Sequence, residues 1–247
     1  MIDLGVPLGA GKEAEIFAFG DDVVKLTRRP GDDGPARREA AILRAVAPLG
    51  LAPALREIIE IEGRWGLVME RIDAPVLGAL AADPARRPEM MALMPILHRR
   101  IHAGTVPGLQ PLASRLAERI GRAAQLEPAL RVDLLARLEA MPEGDRLCHG
   151  DFHPFNILGT GETARVVDWL DATRGDPAAD VCRTYVLIRG FDAALAAAYV
   201  SGYAAAGGVS EPAIYAWLPF VAAARLVENV PEEEAALVAM ARGELLG

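Results

Sequence analysis

The sequence predicts an α+β chain in two lobes: a β-rich N-terminal lobe with one helix over residues 1–72, and a larger helical lobe over residues 73–247. Three observations predict it. Before residue 73, short apolar runs rich in β-branched residues alternate with turn signals. One segment there, 35–47, breaks that pattern with helical spacing. After Asp73-Ala74-Pro75 the chain becomes Ala- and Leu-rich with helical spacing throughout.

In order, Glu15–Gly20 and Asp22–Thr27 flank a Gly20-Asp21 turn and read as a hairpin. The helix over 35–47 is entered through Gly34-Pro35, with proline near the first turn, where its missing N–H costs nothing. Leu55–Ile61 and Trp65–Ile72 flank Glu62-Gly63-Arg64 and read as a second hairpin. Helices are expected over 86–103, 111–126, 128–140, 177–190, 191–206, 211–228 and 231–245. Between them, Asn156–Leu158 and Arg165–Asp168 read as a small hairpin. There is no internal repeat and no low-complexity linker.

Composition excludes more than it selects. Net charge is 26 − 34 = −8, which argues against a grip on nucleic-acid phosphates. The longest charge-free apolar run, Ala213–Ala224, contains Pro219 and is too short to span a bilayer. The first residues lack the basic start and apolar core of a signal peptide. Cys148 and Cys182 have no metal-site spacing, so a reducing cytoplasm is the expected compartment, with neither nucleic acid nor membrane as partner.

The chemistry is concentrated in HGDFHPFNIL, His149–Leu158, and VVDWLDATRGDPAAD, Val166–Asp180. Asp151 and Asn156 stand five apart on an expected loop, and Asp168 closes a short strand-like run. A carboxylate, an amide and a second carboxylate are what phosphoryl transfer from a magnesium nucleotide requires. The first accepts the proton of the acceptor hydroxyl, and the other two hold Mg²⁺ on the phosphates. Mg²⁺ takes oxygen ligands and keeps several waters, so two protein ligands suffice.

The pattern is similar to the catalytic loop of protein kinases, whose Asp and Asn share this spacing and precede a metal-binding Asp. It resembles more closely the aminoglycoside phosphotransferase family, which includes choline kinase-like enzymes. The matching residues are His149-Gly150-Asp151, Asn156, Asp168-Trp169 and Gly175-Asp176-Pro177 with Asp180. The resemblance implies a two-lobed protein kinase-like fold with the nucleotide between the lobes. It also implies an ATP-dependent O-phosphotransferase acting on a small hydroxylated molecule, with GTP an open alternative as donor. By the same resemblance Asp151 is the catalytic base, Asn156 and Asp168 are the Mg²⁺ ligands, and Asp180 braces the catalytic loop, although Asp180 would equally suit a cap on its own helix.

If so, the first lobe should carry a phosphate cover, a phosphate-pairing Lys and a Glu to position it. Gly9 and Gly11 open a Gly9–Ala14 loop that runs into a strand, with Ala14 near the place of a third glycine. The loop is not a Walker motif, because Val6 and Glu13 stand where Gly and Ser or Thr are needed. Lys25 is a charge inside the apolar run Val23–Leu26, and Glu39 shares a helical stripe with Ile42, Leu43 and Val46. A carboxylate on a buried stripe needs a partner, and Lys25 is the candidate. Glu70 and Ile72, in the connector, would hold the adenine through backbone groups.

The acceptor carries no motif. Asp171, Glu228 and Glu232-Glu233-Glu234 are the acidic groups available to a cationic acceptor such as an aminoglycoside, although a Glu run also suits a helix start. His98 and His102, at i, i+4, lack the following Glu of a zinc-protease helix and read as polar or packed groups. Two other readings compete. His149, Asp151, His153 and Asp168 would form the metal centre of a phosphohydrolase, or the chain would be a catalytically silent nucleotide-binding module.

Overall fold

The computed structural model describes residues 4–11 and 13–244. Lys12 of the Gly9–Ala14 loop and Leu245, at the end of the last expected helix, lie outside the described residues. The strands β1 (Gly9–Ala10), β2 (Ala14–Phe19) and β3 (Asp22–Thr27) lead into helix α1 (Gly34–Val46), then β4 (Leu55–Ile61) and β5 (Arg64–Glu70). Helices α2 (Arg87–His102), α3 (Leu112–Arg122) and α4 (Pro128–Leu138) follow. The short strands β6 (Arg146–Cys148), β7 (Ile157–Leu158), β8 (Arg165–Val166) and β9 (Thr173–Gly175) come next. The chain closes with α5 (Pro177–Arg189), α6 (Ala193–Ala205), α7 (Glu211–Tyr215), α8 (Leu218–Arg225) and α9 (Pro231–Arg242). The fold is α+β, two-lobed and protein kinase-like.

The first compact unit comprises Met1–Ala79 and Phe155–Leu170. Its antiparallel sheet has the order β1-β2-β3-β5-β4. Side chains alternate across a strand. Val24 and Leu26 are therefore buried on one face with Phe17, Ile61 and Val68, while Lys25 is on the other, opposite Leu67 in register. Helix α1 buries Ala36, Glu39, Ala40, Ile42, Leu43 and Val46 along one stripe. Residues 155–170, drawn into the helical lobe by the sequence boundary at 73, cluster with this unit. The Val166 N–H donates to Leu51 at 2.7 Å, and the Gly159 N–H to Pro75 at 2.8 Å.

The second unit comprises Leu80–Pro154 and Asp171–Gly247. It buries Met90, Met94, Leu97, Ile101, Tyr199, Trp217 and Phe220 among its helices, with the β6–β9 pair beside them. The motif Gly175-Asp176-Pro177 starts α5 by local physics. A Cβ on Gly175 would come within 2.6 Å of Leu112, the Asp176 carboxylate caps the Ala178 N–H at 2.8 Å, and Pro177 occupies the first turn. The single helix expected over 211–228 is a correction: it is two helices, α7 and α8, parted at Ala216 and Trp217. Pro219 lacks the N–H that would continue the ladder, and its ring would crowd the carbonyl four residues back. Among the described residues no helix is long and apolar enough to cross a membrane.

Candidate active site

In the first unit the sheet presents Lys25 to α1, and the Lys25 ammonium lies 2.8 Å from both carboxylate oxygens of Glu39. It also reaches Asp168 Oδ1 at 2.9 Å. Burial by itself would lower the Lys25 pKa, but the Glu39 and Asp168 carboxylates outweigh it and hold the ammonium above its ordinary range. Burial raises the Glu39 carboxyl, and Lys25 opposes that rise. Asp168 has a φ of +63°, a left-handed conformation uncommon outside glycine. Such outliers gather at functional sites. The Val167 N–H donates to the Asn156 carbonyl at 2.9 Å, so Asn156 and Asp168 sit at the same end of the β7–β8 hairpin. Their side-chain donors are oxygen atoms, the set a hard cation such as Mg²⁺ takes.

In the second unit the loop after β6 is held from beneath. The Asp180 carboxylate, fully buried, accepts the His149 N–H at 2.6 Å and the Gly150 N–H at 2.8 Å. Gly150 has a φ of +81°, and a Cβ there would lie 2.3 Å from the Asp171 carbonyl, so only glycine lets the loop pass. His149 is buried, and its Nδ1 accepts the Asp151 N–H at 3.2 Å. That makes it a backbone organiser. Asp151 Oδ2 lies 3.5 Å from His153 Nε2, and Oδ1 lies 3.5 Å from Arg183 Nη2. Burial would raise the Asp151 carboxyl, but His153 and Arg183 hold it well below the usual carboxylate range. It is therefore ionised and partly covered.

Asp180 is itself positioned by a double brace. His98 Nε2 and His102 Nε2 lie 2.9 and 3.2 Å from Asp180 Oδ2. Their Nδ1 atoms meet the hydroxyls of Tyr199 at 2.5 Å and Tyr203 at 2.7 Å. Two histidines at i, i+4 on α2 thus match two tyrosines at i, i+4 on α6. The ligand-type atoms of His98, His102 and Asp180 lie within 4.8 Å of one another. With the backbone N–H groups and both tyrosines engaged, the arrangement is a hydrogen-bonded brace in which each ring bridges Asp180 and a tyrosine. Burial, with His102 beside it, lowers the His98 pKa to about 3.

That shift has a consequence for stability. The folded pKa lies below the unfolded value of 6.5, so the unfolded chain binds the extra proton between these values. The stabilisation is complete above 6.5 and is lost as pH falls toward 3. One such proton contributes a slope of at most about 1.4 kcal/mol per pH unit. Urea unfolding between pH 7 and 4 should show the wild type losing stability steeply and His98→Gln losing less. Parallel curves for the two proteins would contradict the assignment.

Of the other residues singled out by sequence, Gly9 pairs with Ile16, and the Gly11 N–H donates to Ala14 at 2.9 Å, turning the loop into β2. The Glu70 carboxylate turns back to accept the Ala54 N–H at 3.0 Å, while the Glu70 N–H donates to the Ala54 carbonyl at 2.8 Å. The Ile72 carbonyl accepts from Ala74. The sequence reading missed a group of arginines. Asp171 is ion-paired with Arg115 and Arg119, Glu228 with Arg119, Arg183 and Arg225, and Glu233 with Arg225. Of the carboxylates considered for a cationic acceptor, Asp171, Glu228 and Glu233 are thus already held. The available signal was the i, i+4 spacing of Arg115 and Arg119 beside a chain that is acidic overall.

Residues 5–218 match the Phosphotransferase enzyme family. No curated protein matches the chain. Among solved structures, a thermostable mutant of the aminoglycoside phosphotransferase APH(4)-Ia superposes with a TM-score of 0.72 at 17% identity, covering 98% of this chain and 95% of that one. A choline/ethanolamine kinase family protein from Mesorhizobium loti superposes with a TM-score of 0.68 at 18% identity, covering 98% and 88%. The choline kinase LicA from Streptococcus pneumoniae gives 0.63 at 16% identity, covering 97% and 86%. At these identities the structural likeness is one of fold, whereas the family match spans most of the sequence. The chain therefore belongs to the phosphotransferase enzyme family and is an enzyme that transfers phosphoryl groups.

Proposed function

We propose that the enzyme moves the γ-phosphoryl group of Mg-ATP to a hydroxyl of a small molecule. The observation that carries this reading is the largely covered Lys25 ammonium, 16% exposed, held by Glu39 and shared with Asp168. A cation so placed beside a metal-binding carboxylate suits the α- and β-phosphates of a nucleotide. Asp168 and Asn156 would hold Mg²⁺, which when bound neutralises phosphate charge. The Gly9–Ala14 loop covers the phosphates. The Glu70 carbonyl and the Ile72 N–H address the adenine. Asp151 orients the acceptor hydroxyl and takes its proton. The acceptor oxygen forms a bond to the γ-phosphorus, the bond from that phosphorus to the β–γ bridging oxygen breaks, and ADP leaves.

Two solved relatives in fold are consistent with this. One APH(4)-Ia structure is a ternary complex with AMP-PNP and hygromycin B, and another holds ADP and hygromycin B. GTP is the alternative donor, and the cytoplasm, where two buried thiols stay reduced, is the compartment proposed. Calorimetry with ATP tests the nucleotide site. Wild type should bind ATP in Mg²⁺ or Mn²⁺ and lose affinity in chelator, whereas Asp168→Ala should show no metal dependence. Metal-independent binding in wild type would overturn the metal assignment. Zinc found at His149 and His153 would favour the phosphohydrolase instead.

A further inference from the structure

The second unit contains a cavity whose wall includes Arg115, Arg119, Arg183 and Arg225 together with Asp171 and Asp180. It opens beside the proposed base, because Arg183 Nε donates to the Gly150 carbonyl at 3.2 Å and Arg183 Nη2 lies 3.5 Å from Asp151. From this we infer that the cavity receives an anionic group of the acceptor, a carboxylate or a phosphate, and so presents the acceptor's hydroxyl to Asp151. The inference rests on the phosphotransferase reading and names the substrate class of its acceptor site.

Two observations carry it. First, the wall cations are guanidiniums, each with five donors in a planar fork suited to oxyanions. Carboxylates that would attract a cation are already engaged. Both Asp171 oxygens accept from Arg119, and Asp171 also pairs with Arg115. Glu228 Oε1 accepts from Arg119 at 3.1 Å and Arg183 at 2.7 Å, and Oε2 pairs with Arg225. An incoming ammonium would have to displace guanidiniums from partners they hold in a largely buried setting. An incoming oxyanion adds an acceptor to a cluster rich in donors.

Second, the size agrees. The cavity of about 40 Å³ holds a group of a few heavy atoms rather than a whole sugar ring. One small charged substituent enters, and the hydroxyl-bearing body stays outside.

Matched acceptor pairs test the proposal. Purified enzyme with Mg-ATP is given hydroxy acids beside their amides, and sugar or alcohol phosphates beside the unphosphorylated compounds, with choline and aminoglycosides as cationic controls. ADP formation is measured. The anionic member of a pair should be phosphorylated with a KM at least tenfold lower, and which panel responds distinguishes carboxylate from phosphate. Arg119→Gln should raise that KM by about tenfold or more, as loss of a charged hydrogen bond does, with kcat less affected. Arg115→Gln is the second variant: a raised KM with kcat less affected marks ligand contact, whereas an unchanged KM marks a side chain that serves only to hold Asp171. Turnover of neutral or cationic compounds alone, or unchanged KM in both variants, overturns the anionic subsite while leaving the phosphotransferase reading intact.

A binding arm is independent of turnover. Protein saturated with Mg-ADP is titrated with inorganic phosphate and with acetate, and its melting temperature is followed. One of these anions should stabilise wild type and do so less in Arg119→Gln. Equal response in both proteins overturns the proposal. Failure of ATP to bind at all would fall on the nucleotide reading instead, and would take this inference with it.

Discussion

Asp151→Asn should lose about 10²–10⁴-fold in kcat, the usual cost of removing a general base, while Mg-ATP affinity stays near that of the wild type. The amide keeps the shape of the carboxylate but cannot take a proton. The loop should survive the change. Its backbone is held by Asp180 through the N–H groups of His149 and Gly150, and Arg183 keeps its bonds to Gly150 and Glu228. Calorimetry with ATP and turnover with the acceptor found by the screen form the paired measurement. Full turnover would remove Asp151 from the chemistry. Parallel loss of nucleotide binding would recast it as a metal ligand. Because His153 and Arg183 hold the carboxyl low despite its burial, kcat should show no acid limb from Asp151 near pH 4, the ordinary range of a carboxylate.

Lys25→Met should abolish measurable nucleotide turnover and also destabilise the fold. Removing one partner of a buried pair costs about 3–5 kcal/mol when the other charge stays buried. The partner here is Glu39, which is 4% exposed. Without Lys25, only a backbone hydrogen bond from Trp169 opposes the burial that already raises the Glu39 carboxyl, so Glu39 should fold protonated. A folded pKa above the unfolded 4.5 gives stabilisation that is complete below 4.5 and lost as pH rises through the folded pKa. The variant's deficit should therefore be smaller at pH 5 than at pH 8. Lys25→Met/Glu39→Gln should recover much of the stability at pH 8 and none of the turnover. If stability recovers together with turnover, Lys25 has only a structural role.

Much of the proposed site was legible because its chemistry is local in sequence. Asp151 and Asn156 stand five apart, and Asp168 follows within the same hairpin region, so one stretch of chain displays the kit. Lys25 and Glu39 were legible for a different reason. Each is a charge on an otherwise apolar face, and such a charge requires a partner; the structure joins the two at 2.8 Å. Helix ends were legible where proline or a capping carboxylate marks them, as at Pro35 and Asp176. The same residue type defeated the reading at Pro219, because a proline in the second position of a new helix and a proline inside a continuing one look alike in a sequence.

By itself, then, the sequence determined the α+β class, the hairpins and the charged pair of the first unit, since periodicity and short spacings are properties of neighbouring residues, while residues 155–170 joined the first unit only through tertiary contacts. The pairing of distant side chains was decided only by tertiary structure. Asp171 and Glu228 read as free acids until α3, α5 and α8 bring Arg115, Arg119, Arg183 and Arg225 against them. His98 and His102 read as plain packed groups until α6 supplies Tyr199 and Tyr203 and α5 supplies Asp180. Charge is written in the sequence, but the field a charge feels depends on what the fold places within a few ångströms and on how much water it removes.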